Sequence, residues 1–112
     1  MAAAAHKLDN LTVIMDVNRI QNDDHVENVL PMGPIAEKWE AFGWHVIEID
    51  GHDMTQVVQA LEEAKSHQGA PTMIVANTVK GKGVSYMENV CEWHGKAPCQ
   101  EEADQAIEEL RR

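Results

Sequence analysis

The sequence predicts an α/β fold, a partial parallel three-stranded sheet with flanking helices. Three observations predict it. Apolar runs of strand length, rich in β-branched residues, recur along the chain. Segments whose apolar residues return at helical spacing lie between and after them. Gly-, Pro- and Asp-rich punctuation separates the two kinds, so strand and helix alternate in the order that builds a parallel sheet through right-handed crossovers. At 112 residues the chain is one domain or a piece of one.

Leu11-Thr12-Val13-Ile14-Met15 reads as the first strand, buried on both faces and therefore central. From Asp16 to Gly33 apolar density falls, and Asn18, Asn22, Asp23, Asp24, Pro31 and Gly33 mark a long irregular connection of the kind that often carries function. Pro34 then suits a helix start, Ile35, Trp39 and Phe42 share a face, and Gly43 can end it. Trp44 to Ile49 is the second strand, followed by the turn Asp50-Gly51-His52. Asp53 is placed to cap the next helix, with Gln56 at capping-box spacing. In that helix Met54, Val57, Val58, Leu61 and Ala64 form the expected inward stripe, while Gln59, Glu62, Glu63 and Lys65 face water up to Gly69. Pro71 introduces a third strand, Thr72 to Asn77, and a last helix from near Glu101 to Arg111 aligns Ala103, Ala106, Ile107 and Leu110. Three parallel strands leave an edge and one flank of the core exposed, so a partner is expected on physical grounds.

A formal charge of -10 argues against general nucleic-acid affinity, which relies on clustered Lys and Arg. The apolar patch at Met1 to Lys7 is shorter than a signal-peptide core, and no run is long enough for a bilayer; with only Cys91 and Cys99 as cysteines, the expected compartment is the cytoplasm.

Ligands of parallel sheets sit at the carboxyl ends of the strands. At the first such end, Asn18 offers a carboxamide oxygen and Ile20 a backbone carbonyl that can turn to the same point, a pair suited to half a magnesium site. Asn18 satisfying the amides of its own turn is the competing reading. After the third strand, Thr78-Val79-Lys80-Gly81-Lys82-Gly83 reads either as a phosphate-facing loop or as a solvated one; it is not a Walker motif, because no Ser or Thr follows Gly-Lys. Trp93-His94-Gly95-Lys96-Ala97-Pro98 sets an imidazole beside an ammonium, so that His94 can donate to an oxygen or move protons near neutral pH. Cys91, His94 and Cys99 lack a fourth zinc ligand at usual spacing, and His6, His25, His45, His52 and His67 read as structural or solvated.

Taken in order, several segments resemble the transketolase family. They are Lys7-Leu8-Asp9-Asn10-Leu11, Asp16-Val17-Asn18, Lys38 to Trp44, Asp50-Gly51-His52-Asp53, Thr78 to Ser85 with Met87-Glu88-Asn89, and Trp93 to Pro98. The similarity runs nearly end to end and is nearest to the enzymes encoded as separate subunits. It implies that residues 1–112 are the C-terminal half of the family's diphosphate-binding domain, a fragment of the thiamine diphosphate-binding fold, with 1–7 the tail of a truncated helix and 99–112 a C-terminal helix. It further implies thiamine diphosphate and Mg2+ as cofactors. Asn18 matches the Asn that closes the family's cofactor motif, and Ile20 the position whose carbonyl completes the protein's share of the magnesium shell. His94 matches the histidine that reaches the diphosphate and the reacting centre, while Lys80 and Lys96 lie near the phosphates. Asn22-Asp23-Asp24 departs from the apolar-Asp-Gly that members commonly have there, which puts the loop geometry in question.

The Gly-Asp-Gly that opens the motif does not occur in this chain, nor does a pyrimidine-binding domain. The resemblance therefore implies a component of an enzyme that moves two-carbon ketol units between sugar phosphates, inactive alone and completed by a Gly-Asp-Gly-bearing part and a pyrimidine-binding subunit. A truncated relic or interaction module that keeps the fold and packs on another chain is the rival reading, and a stable homo-oligomer formed without thiamine diphosphate would favour it. A deoxyxylulose-phosphate synthase-like component is a third, against which Trp93-His94-Gly95-Lys96 weighs. No nucleic acid or membrane partner is expected.

Overall fold

The structure is a computed structural model and describes residues 1–111, so the last residue of the expected 99–112 helix lies outside the described residues. In chain order the elements are α1 (Ala2–Ala5), β1 (Thr12–Val17), β2 (Ile20–Gln21), β3 (Asp24–His25), α2 (Val26–Val29) and α3 (Ile35–Ala41). They continue with β4 (His45–Asp50), α4 (Met54–Ser66), β5 (Thr72–Asn77), a 3-10 turn (Cys91–His94) and α5 (Gln100–Leu110). The chain forms two compact units, one made of Met1–Val17 and Met32–Thr78, the other of Asn18–Pro31 and the chain from Val79 onward.

The first unit holds the three-stranded parallel sheet, in the order β1-β5-β4. Register is unbroken from Thr72, flanked by Thr12 and His45, to Asn77, flanked by Val17 and Asp50. The α/β expectation therefore holds, but the central strand is β5, not the first. Thr72 to Ala76 are all buried, whereas β1 alternates exposed and half-buried residues. The crossover through α4 lays β4 against one side of β5 and leaves β1 to pair with the other, so the apolar run in β1 ends at an edge, with Ile14 59% exposed.

The sheet has two differently covered faces. On one, α4 sets Ala60 and Ala64 against Ile49, Ile74 and Ala76, with Val57 and Ile47 at the margin. On the other, Met73, Val75 and Trp44 pack with Ile35 and Trp39 of α3, Ala3 and Ala4 of α1, and Val13, Met15 and Val17 of β1. The Trp39 and Trp44 rings meet edge-on, 5.0 Å apart at 72°. The inward stripe expected for α4 is thus corrected: Val57 and Ala64 face the sheet together with Ala60, but Met54, Val58 and Leu61 are exposed. Small side chains let the helix lie close on β4 and β5, and the larger ones fall one step round its circumference.

Asp53 caps α4 as expected, accepting from the Thr55 and Gln56 amides at 2.8 and 3.4 Å. Gln56 does not complete a capping box; its Nε2 donates to Asp53 Oδ2 and its Oε1 accepts from the Asp50 amide, each at 3.0 Å. These bonds hold the Asp53 carboxyl below its ordinary range, the Gln56 side chain contributing most. His45 is structural, stacked on His67 at 4.0 Å between ring centroids and bonded to Glu63 at 2.8 Å.

At the carboxyl end of the sheet the Gly51 amide donates to the Asn77 carbonyl at 2.8 Å. A Cβ on Gly51 would lie 2.5 Å from Thr78 Cγ2. Gly51→Ala should therefore lower the unfolding midpoint in urea. In the same measurement Ile74→Ala should cost ~2–5 kcal/mol, and Ile14→Ala, at the open flank, less than about 1 kcal/mol; equal losses at the two isoleucines would contradict the assigned strand order.

Candidate functional site

Asn18, Ile20, Lys80, His94 and Lys96, the residues singled out in the sequence, all belong to the second unit. Its two segments begin where β1 and β5 end, at positions adjacent in the ladder, since Val17 pairs with Asn77. There Thr78 Oγ1 donates to Asp16 Oδ1, and the Thr78 amide donates to the Val17 carbonyl at 3.3 Å.

Asn18 opens the turn into a short antiparallel hairpin, β2-β3, in which Ile20 opposes His25 and Gln21 opposes Asp24. Its Oδ1 accepts from the Ile20 amide at 3.0 Å. Arg19 between them adopts φ 65°, a left-handed conformation costing a non-glycine residue on the order of 1 kcal/mol. The Val26 amide donates to the Arg19 carbonyl at 2.9 Å, which makes Arg19 and Val26 the hydrogen-bonded pair flanking Ile20 and His25. By the alternation of an antiparallel ladder, the Ile20 N–H and C=O then both face out of the hairpin, on one side. The Asn18 carboxamide, held on that N–H, lies on the side to which the Ile20 carbonyl points. The turn-satisfying reading of Asn18 is therefore realised, with the Ile20 carbonyl facing the same side of the hairpin.

The Asp16 to Gly33 connection is less irregular than expected. Asn22 at φ 56° supplies the left-handed residue of a two-residue loop, so Asn22-Asp23 closes the hairpin without glycine. Asp24 accepts from the His25 amide at 2.7 Å and from Asn28 Nδ2 at 3.1 Å, and the His25 bond above all keeps its carboxyl low.

The Lys80 to Gly83 loop folds back on its own sequel. The Lys82 and Val84 amides donate to Val79 and Gly81 carbonyls at 3.2 Å, the Gly83 amide to Glu88 Oε1 at 2.9 Å, and the Asn89 amide to the Lys80 carbonyl at 3.0 Å. Gly81 has φ 73°, and a Cβ there would lie 2.5 Å from the Met87 carbonyl oxygen. The glycines thus close the loop, and the amides of 82 to 84 are engaged internally rather than presented to an anion. Of the two lysines, Lys82 lies 3.5 Å from Glu88, while Lys80 is half-buried and forms no ion pair among the described residues.

His94 ends the 3-10 turn with its ring exposed. The turn is anchored by Trp93, whose Nε1 donates to the Tyr86 carbonyl at 3.0 Å, and by Lys96, whose Nζ lies 4.2 Å from the centre of a Trp93 ring. Lys96 also pairs with Glu102 Oε1 at 2.9 Å. Glu102 Oε2 meanwhile accepts from the Cys99 amide at 2.8 Å, closing a capping box at the start of α5. Glu102 escaped the sequence reading because its partner at the cap is a cysteine; the three-residue spacing to a Glu was the available signal.

Among the described residues no three His, Cys, Asp or Glu side chains are arranged to hold a metal. What the second unit offers is a neutral oxygen pair, a half-buried cation and an exposed imidazole. Neutral oxygens of this kind would suit a magnesium ion, which would need further ligands from elsewhere.

The family of the transketolase thiamine diphosphate-binding domain matches residues 1–111. The chain belongs to that family. It is 41% identical over 112 residues to the 6-deoxy-6-sulfo-D-fructose transketolase subunit of Clostridium sp. (strain MSTE9), covering all of this chain and 41% of that subunit. With human transketolase it shares 41% identity over 96% of its own length and 17% of the relative's. The solved transketolase of Campylobacter jejuni superposes with a TM-score of 0.90 at 33% identity, over 98% of this chain and 17% of that one. The chain thus spans well under half the length of these relatives. No helix among the described residues is long and apolar enough to cross a membrane.

In this transketolase-family domain the Glu102 carboxyl is held below its ordinary value of 4.5, first by the Cys99 amide and then by Lys96. A carboxyl lowered by folding contributes stability that is present above its unfolded pKa and lost as pH falls through the folded value. Amide-exchange protection in the first turn of α5 should accordingly hold at neutral pH and decline below the ordinary glutamate range. In Glu102→Gln that acid-side decline should shrink; an unchanged profile would assign it to other carboxylates.

Proposed function

We propose that this chain is the part of a transketolase that binds the magnesium–diphosphate end of thiamine diphosphate, as a component of a larger assembly and without activity alone. The carrying observation is the Asn18-Arg19-Ile20 turn, whose left-handed Arg19 brings the Asn18 carboxamide onto the Ile20 amide while the Ile20 carbonyl faces the same side. When bound, the cofactor supplies the carbanion chemistry of ketol transfer between sugar phosphates. Asn18 Oδ1 and the Ile20 carbonyl would hold the magnesium ion, and a carboxylate from a Gly-Asp-Gly-bearing part would supply the missing charge. Lys80, half-buried and without an ion pair among the described residues, is assigned to the diphosphate, whose charge would offset its burial. His94 is assigned to a phosphate oxygen and to proton transfer at the reacting centre, which its exposure permits. Lys96 also stands near the phosphates by resemblance, but here it is committed to Glu102 and Trp93.

Two features support the need for a partner. Relatives of similar sequence are named as subunits, and this chain spans 41% of one of them. The exposed Ile14, Met54, Val58 and Leu61 leave apolar surface of the sheet-bearing unit open. We place the assembly in the cytoplasm.

Calorimetry with thiamine diphosphate and magnesium is the test. The full chain with a Gly-Asp-Gly-bearing partner should give a binding heat that Asn18→Ala or removal of magnesium abolishes, while the chain alone should bind feebly. Unchanged binding by Asn18→Ala would remove Asn18 from the site.

A further inference from the structure

Lys96 lies two residues beyond His94, on the irregular stretch between the Cys91–His94 turn and α5. Its surroundings engage it fully. The Nζ pairs with Glu102 Oε1 at 2.9 Å and sits over the Trp93 ring at 4.2 Å, so charge and stacking act on one ammonium. Trp93 is fixed at its far end by the Nε1 bond to the Tyr86 carbonyl, and its ring packs against Tyr86 with centroids 5.4 Å apart. Tyr86 donates its hydroxyl to the Glu102 carbonyl, and Glu102 Oε2 caps α5 through the Cys99 amide. Lys96, Trp93, Tyr86 and Glu102 thus close a ring of contacts, and the exposed His94 lies between two of its members in the chain, Trp93 and Lys96.

An exposed ion pair of this kind contributes little to global stability, because water screens it and two long side chains must be ordered. Its effect is local: it ties Lys96, and through the stacked ammonium Trp93, to the first turn of α5. We propose that Lys96 is a positioning residue, which clamps the Cys91–His94 turn onto α5 and so sets the reach of the His94 imidazole, rather than a direct contact to the cofactor phosphates. The proposal rests on the assignment of His94 to the cofactor made above, and it changes the role the family resemblance implies for Lys96.

A double-mutant cycle separates a residue acting through His94 from one acting beside it. Affinity for magnesium–thiamine diphosphate would be measured by calorimetry on the full chain with its Gly-Asp-Gly-bearing partner, for wild type, Lys96→Met, His94→Ala and the double variant. Loss of the clamp should weaken binding about tenfold, the scale typical of groups that orient a ligand. The double variant should then bind no more weakly than His94→Ala. Lys96→Arg, which keeps the charge and the stacking, should restore affinity. A double variant weaker than His94→Ala by the full Lys96→Met factor would make Lys96 an independent phosphate contact and overturn the proposal.

A second measurement needs no cofactor. In the wild-type chain the His94 backbone amide should show the heteronuclear NOE of an ordered segment, and Lys96→Met should lower it to the level of a free loop. No change would overturn the clamp. Absence of cofactor binding by the wild-type complex would instead defeat the parent assignment, with the relaxation measurement still deciding whether Lys96 orders His94.

Discussion

Strand β5 is the constraint on which the sheet-bearing unit depends. It is the only strand of the three paired on both edges, and Thr72 to Ala76 are buried throughout. Parallel pairing requires both faces to be covered, and β5 meets this by sending Ile74 and Ala76 towards α4 and Met73 and Val75 towards α3. Because β1 and β4 take their register from it, the ends of all three strands fall level. The turns Asp50-Gly51-His52 and Thr78 onward are then close enough for the Gly51 amide to reach the Asn77 carbonyl.

The second unit is held by a different kind of force. Outside the β2-β3 hairpin and its helices, side chains bonded to backbone set the course of the chain. Asn18 braces Ile20, Asp24 braces His25, Glu88 braces Gly83, Glu109 braces Ser85 and Glu102 braces Cys99. Carboxylates predominate in this role, so the negative charge of the sequence is partly internal wiring as well as a source of solubility. Such bonds set direction more than they add stability, which suits the role proposed for this unit, the presentation of an oxygen pair, an ammonium and an imidazole to a cofactor.

What was legible in the sequence follows from which interactions are local. The third strand was read at its observed bounds because Pro71 and a β-branched run mark it, and α4 because Asp53 stands at its cap. Strand order was not legible: the first apolar run has the composition of a central strand, but its neighbours are set by the crossover through α4. Likewise Met54, Val58 and Leu61 satisfy helical spacing as well as Ala60 does, and only the closeness of helix to sheet chooses the small residues. At the candidate site, Asn18, Ile20, Lys80, His94 and Lys96 could be singled out only as residue types in a pattern, with their roles implied by resemblance. The left-handed Arg19, the loop-closing duty of Gly81 and the two-handed use of Glu102 arise from contacts that composition does not encode.

The open flank of β1 bears on how the molecule behaves in a test tube. A parallel edge with a bare Ile14 beside it is a template for another chain to zip onto, and such edges nucleate precipitates. Like charges hold copies apart, and a formal charge of -10 on so small a body provides a colloidal barrier whose range shrinks as the Debye length falls in salt. Dilute, low-salt buffer therefore keeps the chain dispersed, whereas concentrated salt removes the repulsion and strengthens apolar adhesion together.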